Sequence, residues 1–398
     1  MSNFRGSLHF LLSFIGLFFA SCANKSENSD EIQVIDLSNP EQVSLSDVFS
    51  ELEVIHMDAG VKSMVPNANY VQPCDDKYVF MDNQRKVYVF DKKGHFISSS
   101  KSVYGNGHGE FVISMGGSYN PYSNNIEIIT PTDLMFYDIN FKYIKSVPLP
   151  TEYQKTSNNN KPLFFDEIYD LSEHLHVLIT PKDNLSQAVN TLFIFDSEKQ
   201  EIVKTINYDK DVMGKFLNQA FSFQNYADDE IIFIPPCYSK NVYKFDKDNL
   251  ELRRFISFNY GDEFYTEEDL KPIQKEANPV KIDEYLSKNY KRSPIRISYD
   301  KGKYFILVDS KEMITDAYLL IVDTKMNTAK RLPLGNENDE FQFYPHSCVY
   351  DNILYIAVEA EGADVLMNAF PGKVTEVNKY KADSTVNDNI AVLKYHLK

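Results

Sequence analysis

The chain has 398 residues, with 57 acidic against 41 basic side chains and a formal net charge of −16. That length suits one large ring-shaped domain or two ordinary ones, and a chain of this size buries enough surface to fold without staples. The acidic balance excludes nucleic-acid binding through a broad basic surface, and equally a polybasic patch for anionic lipids, since both rest on clustered Lys and Arg. Aromatic residues are abundant, 28 Phe and 26 Tyr, with no Trp. Such side chains fit the pleated, half-buried surface of β-sheets, and the lack of Trp argues against WD-type repeats.

The first 22 residues read MSNFRGSLHFLLSFIGLFFASC. Arg5 supplies a positive start, and the apolar run from Leu8 to Phe19 suits a signal-peptide core while being short for a membrane span. Ala20 and Ser21 then precede Cys22, which resembles the lipobox of bacterial lipoproteins, with Phe19 where Leu is usual. That resemblance implies a signal peptide over 1–21 and lipid attachment at Cys22. Several acyl chains hold a protein at a membrane where one does not. The implied place is the outer membrane, on its periplasmic or its surface side. An acylated Cys and flexible tether are expected over 22–45, opening with the polar ANKSENSDE, and the folded body over 46–398.

A short phrase then recurs: VYVFD at 87–91, LMFYD at 134–138, LFIFD at 192–196, VYKFD at 242–246, LLIVD at 319–323, and a weaker VLKYH at 392–396. Self-similarity at such a period marks a repeat architecture. Around each phrase the chain reads as four strands. The first unit is NYVQP, KYVFMD, VYVFD and HFISSS, with a hairpin signal at Asp91-Lys92-Lys93-Gly94. The next four open at EFVISM, EIYDL, FSFQN and IRISYD. The sixth has SCVYD, ILYIAVE and VLKYH and lacks an outer strand, whereas ELEVIHM at 51–57 is a strand to spare at the front. Unpaired edges are a liability that closure removes. The expectation is an all-β, six-bladed β-propeller of four-stranded antiparallel blades, its last blade completed by that N-terminal strand.

Two insertions interrupt the repeat. The stretch 261–293 is expected to carry a small helical insertion, with Thr266 as cap and Pro272 limiting the first helix. The other, 362–389, falls inside the sixth unit. Because antiparallel strands alternate direction, both insertions and the loop YGNGHGE (104–110) leave the blades on one face of the disc. That face is the expected binding surface, since function gathers on loops held by a rigid scaffold.

The run KYVFMDNQRKVYVFDKKGHFI (77–97), followed by GNGHGEF (105–111), resembles the six-bladed β-propeller lipoproteins of Gram-negative bacteria and, more loosely, NHL-type propellers. The resemblance covers most of the chain after Cys22. Blades 3 and 5 depart from it in lacking the Gly after the Asp. It implies the propeller fold and an envelope location, and it carries over no catalytic residues.

Candidate ligand contacts are His108 and Glu110 in the glycine-rich loop, Tyr265 in the insertion, and Lys291, Arg292 and Arg296 in the basic run KNYKRSPIR. The two arginines offer bidentate forks for a carboxylate or an acidic sugar. The recurring Asp91, Asp138, Asp196, Asp246 and Asp323 are expected to hold turns, because Asp bonds nearby backbone N–H groups. His174 and His176 share one side of a strand, but no third metal ligand follows from spacing, so a surface or inter-blade pair is expected. GNGHGEF lacks the Lys-Ser/Thr of a phosphate loop. Of Cys74, Cys237 and Cys348, the first and last fall in touching blades; buried thiols are expected there, with a disulfide as the alternative. The favoured function is a membrane-anchored binding or scaffold module for a glycan, peptide or envelope protein. The alternative is a propeller hydrolase or lyase with a metal in the central channel, calcium being one candidate. No other cofactor is expected.

Overall fold

Among the described residues the strands form six sheets, and each holds four consecutive antiparallel strands or their equivalent. The computed structural model describes residues 32–66, 68–74, 76–150, 164–179, 191–208, 223–227, 230–235, 239–273, 279–308, 317–334, 347–378 and 389–398. Cys22, Cys237 and residues 1–31 lie outside them. Blade 1 runs Ala68–Pro73, Lys77–Asp82, Val87–Asp91 and Phe96–Ser99. Blades 2 to 5 repeat that order from Gly116–Asn120, Glu167–Asp170, Phe223–Ala227 and Pro294–Asp300. The recurring phrase is the third strand of each blade. Its residues are almost wholly buried, because an inner strand of a propeller is covered on both faces by neighbouring blades.

Blade 6 closes as expected. Its strands Ser347–Tyr350, Ile353–Glu359 and Ile390–Leu397 are followed by Phe49–His56, with Val392 opposite Ile55 and Leu393 opposite Val54. A further strand, Lys373–Val377, runs parallel to the closing strand on its outer side. Six apolar clusters fill the six seams between successive blades, and the one containing Ile55, Val392, Val71 and Phe80 joins blade 6 to blade 1.

Two expectations need correction. The tether reading of 22–45 is too long, because Gln33–Asp36 pairs in parallel with Glu251–Asn259 of blade 4, and Glu41–Gln42 with Thr328–Pro333 of blade 5. Ile35 and Leu37 are buried against Ile256 and Phe258, which gives this polar-looking segment its hold. The first strand of blade 2 is Gly116–Asn120 and not EFVISM. Strand propensity favours Val and Ile, but this place demands small residues. A side-chain carbon on Gly116 would stand 2.2 Å from the backbone oxygen of Asp166, on the run leading into blade 3.

The insertion 261–293 is helical, as expected. Glu267–Leu270 forms a short helix behind Thr266, turning to a 3-10 turn over Lys271–Ile273 at Pro272, and Pro279–Lys288 forms a second helix. The second insertion adds the helix Ala360–Ala369. All five recurring Asp residues hold the turn after the third strand. One oxygen of each accepts two backbone N–H groups, as Asp91 does from Lys93 (2.8 Å) and His95 (2.9 Å). Cys74 and Cys348 are free thiols.

Candidate functional site

The two faces of the ring differ sharply in loop length. Turns between first and second strands, and between third and fourth strands, span two to five residues. Connections from one blade to the next span 11 to 34 residues, and those between second and third strands reach 30. Strand alternation puts all the long connections on one face. Insertions 261–293 and 362–389 both spring from it.

The ends of insertion 261–293 are zipped together. Tyr265 N donates to Arg292 O (3.1 Å), and Arg292 N donates to Glu263 O (2.8 Å). Tyr265 is buried and its hydroxyl donates to Leu286 O (3.3 Å), so it holds the insertion in place. Lys291 pairs with Asp269 at 2.7 Å, and the Thr266 hydroxyl also donates to Asp269 at 2.7 Å. Burial acts to raise the Asp269 carboxyl, but those hydrogen bonds win and hold it below its ordinary value. Lys291 is thereby engaged within the insertion.

Arg292 has a different setting. Its guanidinium lies 5.1 Å from the centre of the Tyr318 ring, and that of Arg331 lies 3.8 Å from the same ring. Both approach Glu263 Oε2, at 3.6 Å and 4.0 Å. The Glu263 side chain is 64 % exposed and the Arg292 side chain only 13 %. Two guanidinium groups thus lie over one aromatic ring, with an exposed carboxylate at their rim. The second arginine was not singled out by the sequence, because it lies 39 positions from Arg292 in an outer strand and only the fold brings it near.

The other candidates lie elsewhere. Arg296 is buried in the first strand of blade 5, where Nη1 donates to Ser347 O of blade 6 at 2.8 Å. Burial lowers its guanidinium to about 10, which leaves it charged at neutral pH. Glu110 closes its own loop, accepting from Gly107 N at 2.7 Å. His108 packs edge-on against Tyr143, ring centres 5.0 Å apart, and Tyr137 donates to Gly109 O. Tyr137 and Tyr143 flank a short turn of the opposite face. The loop therefore leaves from the decorated face, as expected, but its tip folds down the flank of blade 2.

One further group of ligating side chains gathers among the described residues: Glu127, Asp170 and His176, all buried. Glu127 comes from the second strand of blade 2, and Asp170 and His176 from the first two strands of blade 3. His176 Nδ1 lies 2.7 Å from Asp170 Oδ1 and 3.3 Å from Glu127 Oε2. Asn120 Nδ2 donates to Glu127 Oε1 at 2.8 Å. Burial first, and then the neighbouring Asp170, push the Glu127 carboxyl well above its ordinary range. His176 was noticed in the sequence without its partners. Its inter-blade place matches the expectation, but the two acids lie in another strand and another blade.

The fold is similar to that of a Bacteroides fragilis protein described as "Putative exported protein", with TM-score 0.66, 14 % identity, and coverage of 92 % of this chain and 100 % of that one. It also matches the WD40 β-propeller domain of Doa1 (TM-score 0.33, 9 % identity, 59 % of this chain and 58 % of that one). A third match is the Neurospora crassa Pan2 WD40 domain (TM-score 0.39, 11 % identity, 82 % and 75 %). At these identities the first likeness speaks for the fold alone. No curated protein matches the chain in sequence. No helix among the described residues is long and apolar enough to cross a membrane. Residues 31–396 match the model described as Domain of unknown function (DUF4934), and the chain belongs to that family.

Proposed function

We propose that this chain is a lipid-anchored envelope propeller that binds a glycan, a peptide or a partner protein across its loop-decorated face. The observation that carries this reading is the division of loop length: one face is trimmed to tight turns, and the other bears every long connection. The Arg292–Tyr318–Arg331 group gives that face a recognisable contact for a carboxylate on the partner. Cys22 is the attachment point, at the outer membrane. The likeness to an exported protein fits that location without fixing it.

Two experiments test the two parts. Detergent phase partitioning should recover the wild-type protein with the membrane and Cys22→Ala in the aqueous phase; equal partitioning would sink the anchor. Glycan and peptide arrays probed with the mature chain should give a carboxylate-bearing ligand whose binding drops at least tenfold in Arg331→Ala. Binding unchanged by that substitution, and by loss of residues 262–291, would remove the decorated face from the reading.

A further inference from the structure

We propose that Glu127, Asp170 and His176 form a site for a divalent transition-metal cation, zinc as the default, that clamps blade 2 to blade 3. The argument is independent of the binding face. Glu127 and His176 are fully buried and Asp170 is 7 % exposed, so the cluster is closed to bulk water. Two carboxylates with an imidazole in such a place need either bound protons or a cation, because an uncompensated buried carboxylate is costly. Lys145 bears on Glu127 only from a distance, its ammonium lying over the Phe136 ring at 4.7 Å.

The hydrogen bonds around the cluster aim its lone pairs inward. Ser197 Oγ donates to His174 O at 3.1 Å, which leaves it to accept from His176 Nε2, 3.1 Å away. With Nε2 so engaged, Nδ1 faces both carboxylates, and the proton of its 2.7 Å hydrogen bond with Asp170 Oδ1 is the one a cation displaces on loading. A metal-binding histidine is normally oriented in this way by a partner on its far nitrogen. Asn120 does the same for Glu127 by binding Oε1. Glu127 Oε2 is left buried and points at the imidazole with no donor of its own, and its contact with Asp170 needs a proton that a cation replaces. A cation between the three atoms satisfies all of them at once.

Distances agree with this assignment. The three ligand atoms lie within 4.8 Å of one another. Ligand atoms about 2.0 Å from a tetrahedral zinc stand about 3.3 Å apart. The Glu127–His176 separation of 3.3 Å already meets that value, and the 2.7 Å Asp170–His176 contact opens by about half an ångström on loading. The nitrogen ligand disfavours calcium and magnesium, which take oxygen. Since the ligands come from both blades, loading stiffens that seam.

The test uses the mature chain made without a polyhistidine tag, stripped with EDTA and then titrated with zinc. One tightly held equivalent is expected by elemental analysis, with a melting temperature raised by about 4 °C at a hundredfold excess over Kd. Glu127→Gln keeps the shape and lets its amide bridge Asn120 and Asp170, so it folds; it should lose the equivalent and the thermal shift. His95→Ala, at an exposed histidine paired with Asp91, should keep both. A different first-row metal held at one equivalent and lost in Glu127→Gln still supports the site. No retained equivalent in the wild type, or full retention in Glu127→Gln, overturns it and leaves a proton shared between the two acids.

Discussion

Gly94 lies against the backbone of His56, so close that a side-chain carbon on it would stand 2.1 Å from the His56 carbonyl oxygen. Gly94 sits at φ +89° in the turn of blade 1, and His56 ends the strand that closes the ring. Asp58 N also donates to Gly94 O at 2.8 Å. The same turn in blades 2 to 5 carries Phe141, Gln200, Leu250 and Asn327 at positive φ, and none of these meets a closing strand. The glycine is therefore explained by closure as well as by the turn. Gly94→Ala should cost about 3 kcal/mol, combining left-handed strain with overpacking. Gln200→Gly, at an exposed position, should gain about 1 kcal/mol by relieving the strain alone. Urea denaturation of both variants checks the contrast, and equal stabilities would remove the docking role.

The seam itself makes a second prediction. Deleting residues 1–57 strips the partner from Ile390–Leu397 and leaves a long apolar edge, a template for pairing with other chains. That fragment should form oligomers or aggregates in size-exclusion chromatography with light scattering. Deleting only 1–32 should leave the melting temperature unchanged and the protein monodisperse. A well-behaved 58–398 fragment melting at the wild-type temperature would show the seam to be dispensable.

Acid sensitivity should reside partly in the turns. Asp246 accepts first from the backbone N–H of Asn249 and then from its side-chain amide, which hold its carboxyl below the ordinary 3.8. A depressed folded value stabilises the protein above the unfolded value and stops doing so as pH falls through the folded one. The stability gap between wild type and Asp246→Asn should therefore be present at pH 7 and narrower at pH 2, because it is lost as pH falls past the ordinary 3.8 and through the depressed folded value. Denaturation midpoints at the two pH values measure it.

Burial pushes the Cys348 thiol up to about 12, and its Sγ donates to Val71 O at 3.3 Å. It is neutral at pH 8, and a neutral thiol is a poor nucleophile. In a Cys22→Ala, Cys237→Ser background, iodoacetamide at pH 8 should label neither remaining cysteine in the native protein and both in urea. Mass spectrometry reads the count, and rapid native labelling of Cys348 would contradict its burial.

Arg296 and Arg331 should part company under mutation. Arg296→Ala removes a buried charged donor across the seam between blades 5 and 6 and should cost about 3 kcal/mol. Arg331→Ala, at a partly exposed ion pair, should cost under about 1 kcal/mol. Urea denaturation of the two variants checks the contrast, and equal losses would remove the seam role of Arg296.

How far the sequence reveals this molecule depends on whether the deciding contacts are local. The phrase ending at Asp91, Asp138, Asp196, Asp246 and Asp323 is visible because each third strand is buried on both faces and each Asp caps its own turn. The closing strand is visible as an edge left over at one end and missing at the other. Gln33–Asp36 is not, since only Ile35 of its four residues is buried and the rest look like linker. Gly116–Asn120 was passed over because close backbone approach at an inner strand overrode side-chain preference. Arg331 meets Arg292 only where the fold brings both to the Tyr318 ring. Glu127 did leave a trace: an acid in the middle of NIEII, an otherwise apolar run, is a mark of a buried polar contact.

The N-terminal arm crosses blades 4, 5 and 6 in turn before the ring closes. Any pull on the chain's N-terminus thus reaches Gln33–Asp36 first, Glu41–Gln42 next, and the Phe49–His56 seam last. Two short attachments stand in series ahead of the strand on which closure depends, so force applied at the N-terminus must part both before it loads the seam.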